Sequence, residues 1–114
     1  MPLPAGVPLQ MIAVDDMGKV VAAALLDPDR VASGHVEIAG DELTGEQVAA
    51  AHGEQAGQPA RYEALPLDVL ADNLDQRAMF AWFADPPSYR ADFTATRSLA
   101  PSVQDLATWL ASRE

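Results

Sequence analysis

Asp15 and Asp16 stand side by side. Adjacent carboxylates can divide acid and base work when burial of one beside the other raises its pKa. The plainer role for the same pair is at a helix start, where aspartate caps free N–H groups and offsets the dipole. His35 and His52 are the only two histidines, and imidazole is the usual proton carrier near neutral pH. Each also has a plainer place, His35 on the polar face of a strand and His52 at the edge of a helix stripe. Tyr89 and Arg90 follow a Pro-Pro turn and offer a hydroxyl and a cation for a ligand carbonyl or carboxylate; Arg90 can equally be a surface partner of Asp92. The candidate catalytic residues are therefore Asp15, Asp16, His35, His52 and Tyr89. With two histidines, no cysteine and no HExxH-like spacing, no metal site is expected.

The large side chains Met79, Phe80, Trp82, Phe83, Tyr89 and Trp109 gather late in the chain. They suit a core or a dimer seam. They also suit the wall of an apolar pocket for a flat organic molecule, which makes Met79, Phe80, Trp82, Phe83, Tyr89 and Arg90 the candidate ligand-binding residues.

A chain of 114 residues is one domain's length and too short for a dinucleotide-binding domain plus a substrate domain. Its formal charge of −10 would repel nucleic-acid phosphates and anionic membranes, so neither is an expected partner. Hydrophobic residues at 49% and charged ones at 21% can build a core, which excludes a disordered tail. The absence of cysteine removes disulfides and thiolate catalysis. Residues 1–8 carry no Lys or Arg, and the longest apolar run, 20–26, is far below the roughly 20 residues of a membrane span. A soluble, cytoplasmic protein is expected. One lysine, Lys19, beside six arginines in an alanine-rich chain is a bias common in GC-rich bacterial genomes.

The elements that must position these residues follow from periodicity. Residues 9–14 form an aliphatic run that predicts a strand ending at Asp15-Asp16. Met17, Val20, Val21, Ala24 and Leu25 then make one helical stripe, which the acidic pair can cap and Asp27-Pro28 ends. Residues 35–39 alternate as a half-buried strand, with Val36 and Ile38 on one face. Thr44 with Gln47 makes a capping box, and Leu43 with Val48 a staple, for a helix running to about Gln55 and stopping near Gly57. Residues 60–64 alternate again as a strand. Pro66 suits the first turn of a helix through Leu67, Leu70, Ala71 and Leu74. A further helix, 76–84, ends at Asp85-Pro86-Pro87. The last starts at Ser102, with Asp105 as its capping partner and Val103, Leu106, Ala107 and Leu110 buried. This order predicts an α/β (α+β-like) fold: a sheet of about three strands, packed with four to five helices and completed by dimerisation.

Several stretches carry a family resemblance. Leu9-Gln10-Met11-Ile12-Ala13-Val14-Asp15-Asp16-Met17-Gly18, running into an alanine-rich helix, resembles the strand and V-D-D-hydrophobic-G turn in the C-terminal half of NmrA-like, atypical short-chain dehydrogenase/reductase proteins. Val36-Glu37-Ile38-Ala39-Gly40-Asp41-Glu42-Leu43-Thr44 is similar to their next strand and helix start. Arg61-Tyr62-Glu63 with Pro66-Leu67 follows, then Phe80-Ala81-Trp82-Phe83, Tyr89, Ala91 and Asp92, and a closing helix over 106–110. The match covers about 9–110, and its order and spacing carry it.

The resemblance implies a substrate-side segment without the N-terminal Rossmann half that cradles the pyrophosphate. The glycines, at 6, 18, 34, 40, 45, 53 and 57, contain no G-x-G or G-x-x-G. The Tyr-x-x-x-Lys pair of classical short-chain dehydrogenases is missing as well. No NAD(P) cofactor and no hydride transfer are expected of the chain alone. A segment of this kind must cover strand edges and apolar faces, through a homodimer or a separate Rossmann-type partner. The expected function is a stand-alone module that binds a small apolar organic molecule, in a setting such as secondary metabolism. The alternative is a cofactor-independent acid/base enzyme, an isomerase, dehydratase or cyclase, with a pocket at the helical half or the dimer interface. A truncated product whose only activity is to dimerise is the third reading.

Overall fold

The computed structural model describes every residue except Ala32, Pro87 and Glu114. Strand β1 (Pro8–Met11) is followed by helix α1 (Val14–Leu26), strand β2 (Asp41–Thr44) and helices α2 (Gly45–Ala56), α3 (Leu74–Phe83), α4 (Phe93–Leu99) and α5 (Leu106–Ala111). Short 3-10 helices occupy Pro28–Arg30 and Leu67–Leu70. The architecture is α/β, with β1 and β2 paired antiparallel. Two strands, rather than about three, are present among the described residues. The chain divides into two compact units, Met1–Leu9 with Leu43–Tyr89 and Gln10–Glu42 with Arg90–Glu114.

In the first unit the capping box forms as the sequence predicts. Thr44 Oγ1 accepts from the Gln47 N–H at 3.3 Å, and Gln47 Oε1 accepts from the Thr44 N–H at 2.8 Å. Helix α2 ends where Gly57 turns left-handed, at φ +68°, a conformation glycine adopts without a Cβ penalty. Residues 60–64 form no strand. The Tyr62 hydroxyl instead donates to the carbonyls of Met1, at 3.0 Å, and Leu3, and the Leu65 N–H donates to Met1. The leader is thus tied to this stretch through the Tyr62 side chain and Leu65, and Leu3 is fully buried. Burial raises the Tyr62 phenol pKa, partly offset by its bond to Leu3. The helix expected after Pro66 closes as a 3-10 turn, because the Asn73 side chain accepts from the Gln76 N–H and starts α3 afresh. After α3, Ser88 Oγ donates to the carbonyls of Trp82 and Asp85, and the Asp85 N–H donates to the same Trp82 carbonyl at 3.2 Å. The Pro87 part of the expected stop signal lies outside the described residues.

In the second unit β1 stops at Met11 and α1 begins at Val14, with Ala13 as its extended N-cap. Asp15 and Asp16 therefore sit inside the first turn, and no side chain caps this helix. Their placement suits the helix dipole, but the expectation that they cap the helix is corrected. Val20, Leu99 and Ala100 form the core, with Val36 and Ile38 packed against it; burying a side chain such as Leu99 contributes about 2 kcal/mol. The alternation of residues 35–39 survives as burial but not as a ladder. The Glu37 carbonyl accepts from the Asp92 N–H at 3.0 Å, and the Ala39 N–H donates to Thr96 Oγ1 at 3.3 Å. Thr96 is fully buried and its hydroxyl donates to the Asp92 carbonyl. The N-terminus of α4, which periodicity does not announce, thus takes the place of a neighbouring strand. The Arg30 guanidinium donates to the Ser98 carbonyl in the last turn of α4. The final helix starts at Leu106 and not at Ser102, because Asp105 is its N-cap and accepts from the Thr108 N–H at 2.8 Å.

Thr44→Ala removes the side-chain half of the capping box and is expected to cost about 1 kcal/mol. Urea unfolding followed by far-UV circular dichroism checks this; an unchanged midpoint would show that the Thr44 hydroxyl adds nothing.

Candidate functional site

The second unit holds a half-open cleft of about 270 Å³, near the lower end of small-ligand pockets. It lies where β1 runs into α1 and where α5 begins. Met11, Ile12, Val14, Leu106 and Trp109 give it apolar walls, and Asp15, Asp41, Asp105 and Arg113 supply its charges.

Buried Asp16 holds this corner together. Its Oδ2 accepts from the Gln104 N–H at 2.8 Å, which fixes residue 104 against the first turn of α1. Its Oδ1 faces the Lys19 ammonium at 3.4 Å, without the geometry of a hydrogen bond. The contact is Coulombic, and Lys19 also donates to Ser102 Oγ at 3.2 Å. Gly40 lies against the same segment. A Cβ there would come within 2.5 Å of the Gln104 carbonyl oxygen, so only glycine fits without backbone movement.

Asp41 fixes the opposite wall. One of its oxygens accepts from the Leu106 N–H at 3.0 Å and the other from the Glu42 N–H at 2.8 Å. Asp105 caps α5, and hydrogen bonding from Thr108 holds its carboxyl below the ordinary carboxylate value. Arg113 lies over the Trp109 ring with its guanidinium carbon 4.4 Å from the centroid, a cation–π distance.

The residues singled out from the sequence separate. Asp15 is exposed and lines the cleft. Asp16 is wholly buried in a structural role. His35 is exposed at the edge of a second, more open apolar groove of about 420 Å³ beside α1, in the same unit. His52 is exposed on α2 of the first unit.

Phe80, Trp82, Phe83 and Tyr89 form a ring cluster in the first unit. Phe83 and Tyr89 stack at 5.1 Å, and Trp82 meets both rings at 5.5 Å. Phe80 meets Phe83 edge-on at 5.6 Å. These rings fill one another's space, each pair adding about 1 kcal/mol. Phe83 is buried, while Trp82 and Met79 stay about half exposed. Burial raises the Tyr89 phenol pKa, which moves it away from proton exchange at neutral pH. Arg90 is exposed in the second unit.

Sequence reasoning passed over Asp41, Asp105 and Arg113 as site residues, and it grouped Trp109 with the aromatic residues suited to a pocket wall without selecting it. Trp109 carried the one usable signal, a large aromatic ring on a short helix with an arginine four positions on.

An α/β chain with an apolar cleft between the end of a strand and the start of the following helix is the class this geometry defines. The NmrA-like family model matches residues 1–110, and the chain belongs to that family. No curated protein matches it.

Asp16→Ala strips the Gln104 N–H of its acceptor and unpairs Lys19, so a loss of about 2–3 kcal/mol is expected. Asp15→Ala, on the exposed wall, should stay within about 0.5 kcal/mol of the parent. Thermal unfolding of both variants checks the contrast, and equal losses would remove the structural assignment of Asp16.

Proposed function

We propose that this chain is the substrate-side, C-terminal portion of an NmrA-like protein and binds a small apolar organic molecule without NAD(P) redox chemistry of its own. The observation that carries this reading is the cleft in the second unit, with Ile12, Leu106 and the Trp109 ring as walls. It replaces the ring cluster of the first unit as the binding surface, because those rings pack on one another. The lack of closely spaced glycines supports the part of the reading that leaves nucleotide out. Asp15 on the cleft wall favours the second reading, a cofactor-independent acid/base enzyme, since a carboxylate at an apolar surface can take a proton from a bound ligand.

A thermal-shift panel of aromatic ligands and NAD(P)H tests the two readings together. Aromatic ligands should raise the melting temperature with their concentration, as binding to the native state requires, and NAD(P)H should not. Stabilisation by nucleotide alone would end the proposal. Turnover of a stabilising ligand that disappears in Asp15→Asn would replace it with the enzyme reading.

The same proposal includes a homodimer or a separate Rossmann-type partner. Helix α1 exposes Val14, Met17, Val21 and Leu25, apolar positions spaced three and four apart as in a helix–helix seam. A dimer is the outcome expected in light scattering at micromolar concentration, and a monomer there counts against self-association.

A further inference from the structure

We infer that the cleft at the start of α1 selects ligands that carry a positive charge, an aromatic or aliphatic body bearing a protonated amine, and discriminates against carboxylates. This rests on the small-molecule reading above and adds the chemical class of the ligand.

Three features of the cleft carry the inference. The Trp109 ring already accepts a cation on its face, the Arg113 guanidinium at 4.4 Å. That guanidinium belongs to an exposed side chain and makes neither of the ion pairs found among the described residues. A ligand ammonium can therefore take its position over the indole. The charges lining the cleft are three carboxylates against one guanidinium, within a chain of net charge −10, so the field favours a cation.

The carboxylates are not equivalent. Asp41 binds two backbone N–H groups and Asp105 caps α5. Asp15 takes part in neither ion pair of the described residues. It is the carboxylate left to pair with an incoming ammonium.

Two features argue the other way, and both are weaker. The N-terminus of α1 would attract an anion, but Asp15 and Asp16 already occupy its first turn, where they offset the dipole. Arg113 could clamp a carboxylate, but that carboxylate would lie among three others.

The test uses tryptophan fluorescence of the full chain carrying Trp82→Phe, which leaves Trp109 as the reporter inside the cleft. Three probes share one body: phenethylamine, 2-phenylethanol and phenylacetate. The amine should bind at least about fivefold tighter than the alcohol, the scale of one cation–π contact, with phenylacetate weakest. Arg113→Ala bares the ring and removes a like charge, so it should tighten the amine by about threefold or more, and Asp15→Asn should weaken it by a similar factor. Phenylacetate binding most tightly, and failing in Arg113→Ala, would overturn the inference in favour of an anion site. Equal binding of all three probes would overturn the charge selection and leave the small-molecule reading standing. No saturable change with any probe would overturn both. Circular dichroism of each variant confirms that it is folded before titration.

Discussion

Taking the Asp16 carboxylate wholly out of water costs several kcal/mol unless it is matched. In the second unit the Gln104 N–H and the Lys19 ammonium do the matching. The requirement is directional: the carboxylate sits on the first turn of α1, so Gln104 must be brought to that turn and held there. Gly40 leaves the space for the Gln104 carbonyl. Asp105 and Leu106 follow directly along the chain, and Asp41 receives the Leu106 N–H. One buried charge thus places the start of α5, and the start of α5 places Trp109.

The cleft is accordingly a product of element ends and not of element faces. Its apolar walls come from residues just after β1 and just inside α5, where the chain turns and side chains leave gaps. The ring cluster of the first unit shows the opposite case. Trp82, Phe83 and Tyr89 lie close enough in sequence to meet each other, and their rings contact one another. In this accumulation of aromatic residues only Phe83 is buried, and the rings touch one another while Trp82 stays half exposed.

Local chemistry was the most legible part of the sequence. Thr44, Gln47 and Gly57 specify both ends of α2 through bonds that span no more than a few residues, and the structure follows them. The span of α1 and the late helix rich in aromatics were also readable, although of the α1 stripe only Val20 is buried while Met17, Val21 and Leu25 stay exposed. Residues 35–39 and 60–64 show where such reading stops. Their alternation reports which side chains are buried, but a strand also needs a partner for its backbone. Here Asp92 and the Thr96 hydroxyl take the backbone bonds of Glu37 and Ala39, and residues 60–64 are held by the Tyr62 hydroxyl on Met1 and Leu3. Nothing in a window of five residues reveals a partner that far along the chain. The candidate site was legible in part: Asp15 lines the cleft, whereas the adjacent Asp16, chemically identical, is a structural anchor. The long-range bond to Gln104 and the contact with Lys19 separate their roles.

That bond joins residues 88 positions apart, which has a kinetic meaning. Contacts of such separation form after local helices, since the loop they close carries a large entropic cost. Helix α2 can assemble from its own capping residues early in synthesis. The cleft lacks its second wall, with Leu106, Trp109 and Arg113, until the stretch from Gln104 to Arg113 has been made and has returned to α1. The wall at the start of α1 is therefore made first and stays uncovered until α5 packs against it.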